Sequence, residues 1–229
     1  MILASSAEVA EQRLHSAAPT KMRFTSSGKA PAVLADVFQE DINIAIWKRQ
    51  LPLPVQETVN GLIASDRSVD SLITLPRENA RGSVCESLGT HQECLFSQDV
   101  AELVEMFCLL LGLKRVALRL RMLDGAMCPK FHVDRVPCRL ITTYYGAGTE
   151  WLPHDAVDRS KLGPGSLGQS DLQSGLLKTK DDIQQLNRGD VAVLKGELWE
   201  DNENAGLVHR SPEVPAGDVR LLLSIDVSN

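Results

Sequence analysis

The stretch CPKFHVDRVPCRLITTYYGAGTEWL, residues 128–152, sets the interpretation of the whole chain. It alternates short extended runs with Pro and Gly residues, which is typical of short β-strands joined by turns. Side chains two residues apart on a strand project to the same face, so the run KFHVD directs His132 and Asp134 the same way. A neutral imidazole and a carboxylate placed in this manner supply two adjacent ligands for a metal ion.

A further histidine would complete the facial triad of two histidines and one carboxylate, which leaves three positions of an octahedral iron(II) open. The chain has five histidines. His15 lies in the N-terminal segment, His91 in a loop of the helical region, and His154 at the start of a long Gly- and Ser-rich loop, residues 153–174. His209 lies in the extended run AGLVHR. The second and seventh strands of a double-stranded β-helix are neighbours, so His209 is the predicted third ligand.

The residues after Gly112 predict a series of short strands separated by Gly, Pro, Asp and Asn. The extended runs are KRVALRLRML, KFHVD, CRLITTYYG, TEWL, GLLKTK, DVAVLKG, AGLVHR and DVRLLLSIDV. This series predicts a sheet-rich metal-binding core over residues 113–229.

The residues before Gly112 predict helices. Residues 36–112 have apolar side chains at helical spacing, in three stripes: Phe38, Ile42, Ala45 and Ile46; Val55, Val59, Leu62 and Ile63; and Val100, Leu103, Val104, Phe107 and Leu110. The Ala- and Ser-rich residues 1–35 predict a flexible N-terminal segment. The expected fold is therefore α+β, with N-terminal helices packed on a C-terminal double-stranded β-helix of the jelly-roll or cupin-like kind.

The composition narrows the class of protein. The chain has 229 residues, of which 43% are hydrophobic, so it can bury a core. Its net charge of −6 argues against a nucleic-acid partner. No apolar run reaches the length of a membrane span. The five cysteines contain no CxxC pair, which favours reduced thiols and the cytoplasm.

These motifs resemble the iron(II)/2-oxoglutarate-dependent oxygenase superfamily. HVD at 132–134, His209 and Arg220 eleven residues later follow its pattern of HxD, a distal His and a basic residue, and GDVAVLKGE is similar to its sixth strand. The likeness covers roughly residues 112–229, and the string as a whole is similar to an uncharacterised bacterial family. One departure is Leu222, which stands where the superfamily commonly has a serine.

The resemblance implies a role for particular residues. His132, Asp134 and His209 would bind iron(II), and Arg220 would pair with the distal carboxylate of 2-oxoglutarate. Further co-substrate contacts are assigned to Ser224, on the same strand face as Arg220, and to whichever of Tyr144 and Tyr145 faces inward. A different interpretation of Arg220 is a surface residue paired with Asp218 or a loop carboxylate. The expected substrate or lid contacts are Trp151, His154 and Trp199.

The expected function is a hydroxylase-type oxygenase, a dioxygenase that acts on a small molecule or a peptide. The alternative is a cupin-like protein that binds zinc or iron in metal homeostasis without oxygenase chemistry. A third interpretation is an interaction scaffold without a metal. A fourth protein ligand would favour the metal-binding alternative, because structural zinc sites are closed and catalytic sites keep an open position. The sequence leaves the oligomeric state open.

Overall fold

A computed structural model describes residues 22–65, 69–88 and 94–228. Ten β-strands lie in these ranges: Phe24–Gly28 (β1), Ile42–Trp47 (β2), Asp70–Pro76 (β3), Arg115–Leu123 (β4), Cys138–Tyr145 (β5), Glu150–Leu152 (β6), Gln184–Gln185 (β7), Val191–Lys195 (β8), Val208–Arg210 (β9) and Arg220–Val227 (β10). The α-helices are Leu53–Ala64 (α1), Ala80–Leu88 (α2) and Leu95–Leu111 (α3). Short 3-10 helices span Pro31–Phe38, Arg77–Asn79, His154–Ala156, Arg159–Lys161, Gly163–Ser166 and Lys180–Asp182.

The strands form two sheets. The larger sheet has seven strands in the order β1-β2-β8-β5-β10-β4-β3, and the smaller has three in the order β7-β6-β9. Among the described strands, β1 and β2 pair in parallel and the other pairs are antiparallel. The fold is thus a mixed α/β arrangement built on a large, mainly antiparallel sheet.

The helices cover one face of the larger sheet. Helix α3 buries the apolar stripe of Val100, Leu103, Val104 and Phe107 in a core that also contains Leu140 of β5. The helix ends at Gly112, as its sequence predicts, because this residue adopts a left-handed conformation with a φ of 67°. The helices therefore support the sheet from one side and leave its other face for the smaller sheet.

The two sheets pack face to face through a second apolar cluster. It joins Ile141 of β5 and Ile44 of β2 to Trp151 of the smaller sheet. A third cluster, which includes Phe131 and Val208, lies beside the smaller sheet. The second cluster thus covers the inner face of the larger sheet over β2, β8 and β5, and the candidate site lies over β10 and β4 on the other side of β5.

Some of the predicted helical region is strand. Residues Ile42–Trp47 form the buried strand β2, although Ile42, Ala45 and Ile46 were spaced like a helix face. The strand is covered on both faces, since Ala45 contacts the helical core and Ile44 and Ile46 the second cluster. A continuous apolar run of this kind mimics helical spacing.

The larger sheet also crosses the predicted boundary at residue 113. Strands β1, β2 and β3 lie before it, and β1 lies within the segment predicted to be flexible. Two predicted strands are absent from the described residues, because KFHVD and GLLKTK contribute only the isolated bridges His132–His209 and Val157–Leu177. His15 and His91 lie outside the described residues. No helix in the described part of the chain is long and apolar enough to cross a membrane.

Candidate metal centre

Three side chains predicted as metal ligands converge in the structure. His132 Nε2 lies 3.6 Å from Oδ1 of Asp134, and His209 Nε2 lies 3.3 Å from Oδ2 of the same carboxylate. One ligand atom from each of the three residues lies within 4.8 Å of the others. Ligand atoms bound at right angles about an ion at about 2.1 Å lie about 3 Å apart, so a small contraction would fit one ion.

Backbone pairing places the two imidazoles side by side. The N–H of His132 donates to the carbonyl of His209, and the N–H of His209 donates to the carbonyl of His132, each over 3.0 Å. The ring centroids are consequently 4.6 Å apart. The sequence predicted that two neighbouring strands bring His132 and His209 together. In the structure a single antiparallel bridge between the two residues does so.

Both histidines are held in the tautomer that binds a metal. His132 Nδ1 lies 3.0 Å from the carbonyl oxygen of Lys130, and His209 Nδ1 lies 3.2 Å from that of Leu207. A carbonyl oxygen only accepts hydrogen bonds, so each Nδ1 carries the proton. When a ring is neutral, its lone pair is on Nε2, which faces Asp134, and when Nε2 is protonated, its N–H donates to that carboxylate.

Asp134 is oriented by an arginine that sequence analysis missed. Arg139 Nη1 donates to Asp134 Oδ2 over 2.6 Å, while its Nε and Nη2 donate to Asp226 over 2.7 and 2.9 Å. Burial by itself would raise the pKa of the Asp134 carboxyl, but hydrogen bonds with His132 and His209 and the charge of Arg139 outweigh it and hold that pKa far below its usual range. Asp134 is therefore an ionised carboxylate at neutral pH.

The three residues line a cavity of about 320 Å³ that also contains Arg220 and Ser224. The cavity lies against β10, the strand between β5 and β4. Leu222, which departs from the superfamily pattern, lies between Arg220 and Ser224 on this strand and also lines the cavity. Arg220, Ser224 and the three predicted ligands thus line one cavity.

Arg220 is a buried cation without a carboxylate partner among the described residues. Only 1% of the residue is exposed. Its Nη2 donates to the hydroxyls of Thr143 and Thr149 over 3.1 and 2.8 Å, and its Nε donates to the carbonyl of Ala147 over 2.8 Å. Burial lowers the pKa of this guanidinium to about 10. The interpretation of Arg220 as a surface residue paired with Asp218 is therefore wrong.

The tyrosines do not line this cavity. Tyr144 is fully buried on the helical side of the sheet, where its hydroxyl donates to Asp99 over 2.5 Å and its ring packs edge-on against Phe96. Alternation along β5 puts Arg139 and Ile141 on the cavity side and Tyr144 on the opposite one. Tyr145 lines a neighbouring cavity, which Arg220 also borders.

The residues predicted at a lid also lie outside the cavity. Trp151 is buried in the cluster between the sheets. His154 is buried near Arg159, whose Nη2 lies 3.4 Å from the imidazole Nδ1. Trp199 packs against Phe38 with ring centroids 5.6 Å apart. The sequence around these turns does not indicate which way Trp151 and Trp199 point. In the structure both side chains pack against other residues of the fold.

Among the cavity residues that were missed are Arg119, Arg139 and Thr149. Strand alternation gave a usable signal for two of them. Arg119 alternates with buried Leu118 and Leu120 on β4, and Arg139 alternates with buried Cys138 and Leu140 on β5. Thr149 lies outside the strands, and its role follows only from its contact with Arg220.

Comparisons with known proteins give a family for this chain and several solved structures that are similar to it. The family model described as "Protein of unknown function (DUF1826)" matches residues 28–226. A search of curated proteins found no match.

The chain is similar to solved structures of a rice dioxygenase for auxin oxidation, with 13% identity, 89% of this chain and 82% of that chain covered and a TM-score of 0.49. It is also similar to a prolyl-4-hydroxylase from Pseudomonas putida, with 15% identity, 86% and 93% covered and a TM-score of 0.45. A third is dioxygenase for auxin oxidation 1 from Arabidopsis thaliana in complex with 2-oxoglutarate, with 10% identity, 90% and 92% covered and a TM-score of 0.43. At such scores, these similarities do not identify a reaction.

Proposed function

We propose that this chain, which belongs to the DUF1826 family, is an iron(II)- and 2-oxoglutarate-dependent oxygenase of the hydroxylase type. Its substrate is proposed to be a small molecule or a peptide. The observation that carries the proposal is the presence of a His-Asp-His group and an uncompensated buried arginine in one cavity. We further propose that the two facing sheets form a double-stranded β-helix, a fold that brings distant strands to a shared interior.

The donor set suits iron(II) in an open site. Two neutral imidazoles and one carboxylate are the ligands of the facial triad found in non-haem iron(II) oxygenases. Among the described residues, the group contains His132, Asp134 and His209 and no fourth His, Cys, Asp or Glu. A structural zinc site would normally have a fourth protein ligand, so the arrangement favours catalysis over the storage or delivery of metal.

Arg220 supports 2-oxoglutarate as the co-substrate. A buried cation is costly unless an anion compensates it, and the described carboxylates leave this one uncompensated. Its guanidinium has a planar arrangement of donors that matches a carboxylate. Ser224 lines the same cavity and offers a hydroxyl. We propose that Arg220 binds the distal carboxylate of 2-oxoglutarate and that Ser224, four residues further along β10, is a second polar contact in the cavity.

The roles of the protein groups follow from their contacts. Bound iron, together with 2-oxoglutarate and oxygen, would supply the oxidant for attack on a C–H bond of the substrate. Carbonyl oxygens of Lys130 and Leu207 fix the histidine tautomers, and Arg139 fixes the orientation of the Asp134 carboxylate. Arg220 would set the distance of the co-substrate from the three ligands. Ile141 and Leu222 give the cavity an apolar wall on the side of the larger sheet.

Anaerobic titration with iron(II) and then 2-oxoglutarate tests this function. We expect about one iron(II) per chain, a visible charge-transfer absorption when 2-oxoglutarate is added, and succinate when oxygen is admitted. The combined variant His132→Ala and His209→Ala should lose metal binding. His154→Gln is the matched control, because His154 lies outside the cavity. A protein that binds iron(II) but gives neither the absorption nor succinate would contradict the co-substrate and favour the metal-binding alternative.

A further inference from the structure

Four arginines line the candidate cavity, and two of them are neutralised within the protein. Arg139 pairs with Asp134 and Asp226. Arg210 pairs with Glu150 over 2.7 Å and with Asp171 over 3.0 Å. The two others, Arg119 and Arg220, form no ion pair with the described residues. Since the proposed function uses only Arg220 to hold the co-substrate, Arg119 is a cation without an assigned anion.

Arg119 has a buried donor that nothing in the described protein satisfies. Its Nε is buried and has no hydrogen-bond partner, and its guanidinium makes no hydrogen bond or ion pair with the described residues. A buried donor without a partner costs free energy, and folded proteins seldom retain one without a reason. The residue as a whole is half-buried, so a ligand in the cavity with an acceptor oxygen can pair with the rest of the guanidinium and compensate its charge.

The neighbouring Arg121 shows that an ordinary arginine on this strand finds a partner. It lies two residues further along β4 on the same strand face. Its Nε donates to Asp70 over 2.8 Å, and it does not line the cavity. The unpaired state is therefore particular to Arg119 and does not come from the strand or the face.

Arg119 and Arg220 enter the cavity at different places. Arg119 is opposite Ser224 in the β4–β10 ladder, whereas Arg220 is opposite Leu123. Four residues along a strand correspond to about 13 Å at about 3.3 Å per residue. This separation of the two backbone positions favours two anionic groups, one at each arginine, over one group shared by both.

Apolar side chains form part of the wall of the cavity that Arg119 lines. Ile141 and Leu222 line it and are 4% and 8% exposed, and Met127 lines it nearer the surface. A guanidinium beside apolar side chains suits a carboxylate attached to a hydrocarbon body, because the charge is paired while the body buries apolar surface.

We propose that Arg119 binds the carboxylate of the primary substrate, and that this substrate is an organic acid with an apolar body. The proposal rests on the proposed function, since the cavity must also accept iron(II) and 2-oxoglutarate. Arg119 is then the residue that orients the acid relative to the His-Asp-His group, and Arg220 is left to the co-substrate.

The test measures binding to the anaerobic protein loaded with iron(II) and 2-oxoglutarate. Hexanoate, benzoate and phenylacetate are each compared with the neutral amide of the same body by calorimetry. At least one acid should bind about tenfold more tightly than its amide, the size of effect typical of a charge-assisted hydrogen bond. The preference should disappear in Arg119→Gln, return in part in Arg119→Lys and persist in the control Arg121→Gln.

Several outcomes would overturn the proposal. They are the absence of any acid preference in the natural chain, its persistence in Arg119→Gln, or a loss of 2-oxoglutarate affinity in Arg119→Gln as large as that in Arg220→Gln. The last result would assign Arg119 to the co-substrate. Failure of iron(II) or 2-oxoglutarate to bind, with the acid preference still dependent on Arg119, would refute the proposed function and leave an organic-acid site.

Discussion

His209 Nε2 lies 3.3 Å from Asp134 Oδ2, although the two residues come from different parts of the fold. His209 belongs to β9 of the smaller sheet, and Asp134 lies in the segment before β5 of the larger one. The lone pair of a neutral imidazole and an ionised carboxylate repel each other at this distance unless a proton or a cation lies between them. A proton or a metal ion between His209 Nε2 and Asp134 Oδ2 therefore makes this contact between the two parts of the fold favourable.

Competition between protons and metal predicts that iron(II) affinity rises with pH. The hydrogen bond with Asp134 raises the pKa of His132 above its ordinary value, against the effect of burial. The metal-free site thus retains its proton to a higher pH, and the proton must leave before the metal binds. Below the raised pKa, we expect affinity to fall about tenfold for each pH unit. Anaerobic titrations between about pH 6 and about pH 8 measure this slope, and an affinity independent of pH would contradict the assignment of His132.

Arg220→Gln should separate co-substrate binding from folding. The change removes a cation that is 1% exposed and has no described carboxylate partner. We expect 2-oxoglutarate affinity to fall about 100-fold, because a buried charge pair loses one partner. The melting temperature of the ligand-free protein should change little, whereas the rise in melting temperature on addition of 2-oxoglutarate should vanish.

Arg188→Gln is the control for Arg220. Arg188 lies beside the ring of Tyr145 and lines the neighbouring cavity instead of the one with the His-Asp-His group. Its variant should keep the 2-oxoglutarate affinity of the natural chain. An equal loss of 2-oxoglutarate affinity in both variants would mean that 2-oxoglutarate binding depends on positive charge near β5 in general and not on a specific contact with Arg220.

The sequence was most informative where one periodicity held without interruption. Runs such as RVALRLRML and RLLLSIDV became β4 and β10, because turn residues bound each and both lie inside the sheet. The pairing of HVD with His209 was also predictable from the order of strands, and the bridge between His132 and His209 agrees with it. Their role as metal ligands stays a prediction.

The remaining features depend on contacts between residues far apart in sequence. Arg139 pairs with Asp226, 87 residues away, and no local pattern announces that partner. Ile42–Trp47 had helical spacing because both faces of the strand are covered, which only its position between β1 and β8 explains. The face of Tyr144 was likewise undecided until the register of β5 against β10 was known.

Arg139→Gln should weaken both the fold and the metal site. The variant loses ion pairs to Asp134 and Asp226, whose side chains are 16% and 20% exposed. We expect the free energy of unfolding to fall by about 2 kcal/mol, less than for a fully buried pair because of this exposure. Metal affinity should fall about 10- to 100-fold, since Asp134 loses the group that orients it. Chemical denaturation and iron(II) titration measure the two effects.

Arg121→Gln is the matched control for Arg139. It removes a pair with Asp70 in which the two side chains are 31% and 58% exposed, and Arg121 does not itself line the cavity, although its Nη1 lies 3.1 Å from Sδ of Met127. Such a surface pair contributes about 1 kcal/mol or less. Metal affinity should stay at the level of the natural chain. A similar loss of metal binding in both variants would argue that Arg139 acts only through the net charge of the protein.

Tyr144→Phe and Thr149→Val should have opposite effects, because these two buried residues lie on different sides of the larger sheet. Tyr144→Phe removes the hydrogen bond to Asp99 in the helical core and should lower the free energy of unfolding by about 1 kcal/mol. Its affinity for 2-oxoglutarate should be unchanged.

Thr149→Val removes a hydroxyl that accepts from Arg220 Nη2 over 2.8 Å. It should weaken 2-oxoglutarate binding about fivefold, since the guanidinium loses one of the contacts that hold it in place. Reduced 2-oxoglutarate affinity in Tyr144→Phe, with no reduction in Thr149→Val, would contradict this expectation. It would mean that Tyr144 contacts 2-oxoglutarate, as the sequence resemblance implied, and that Thr149 does not position Arg220 for binding.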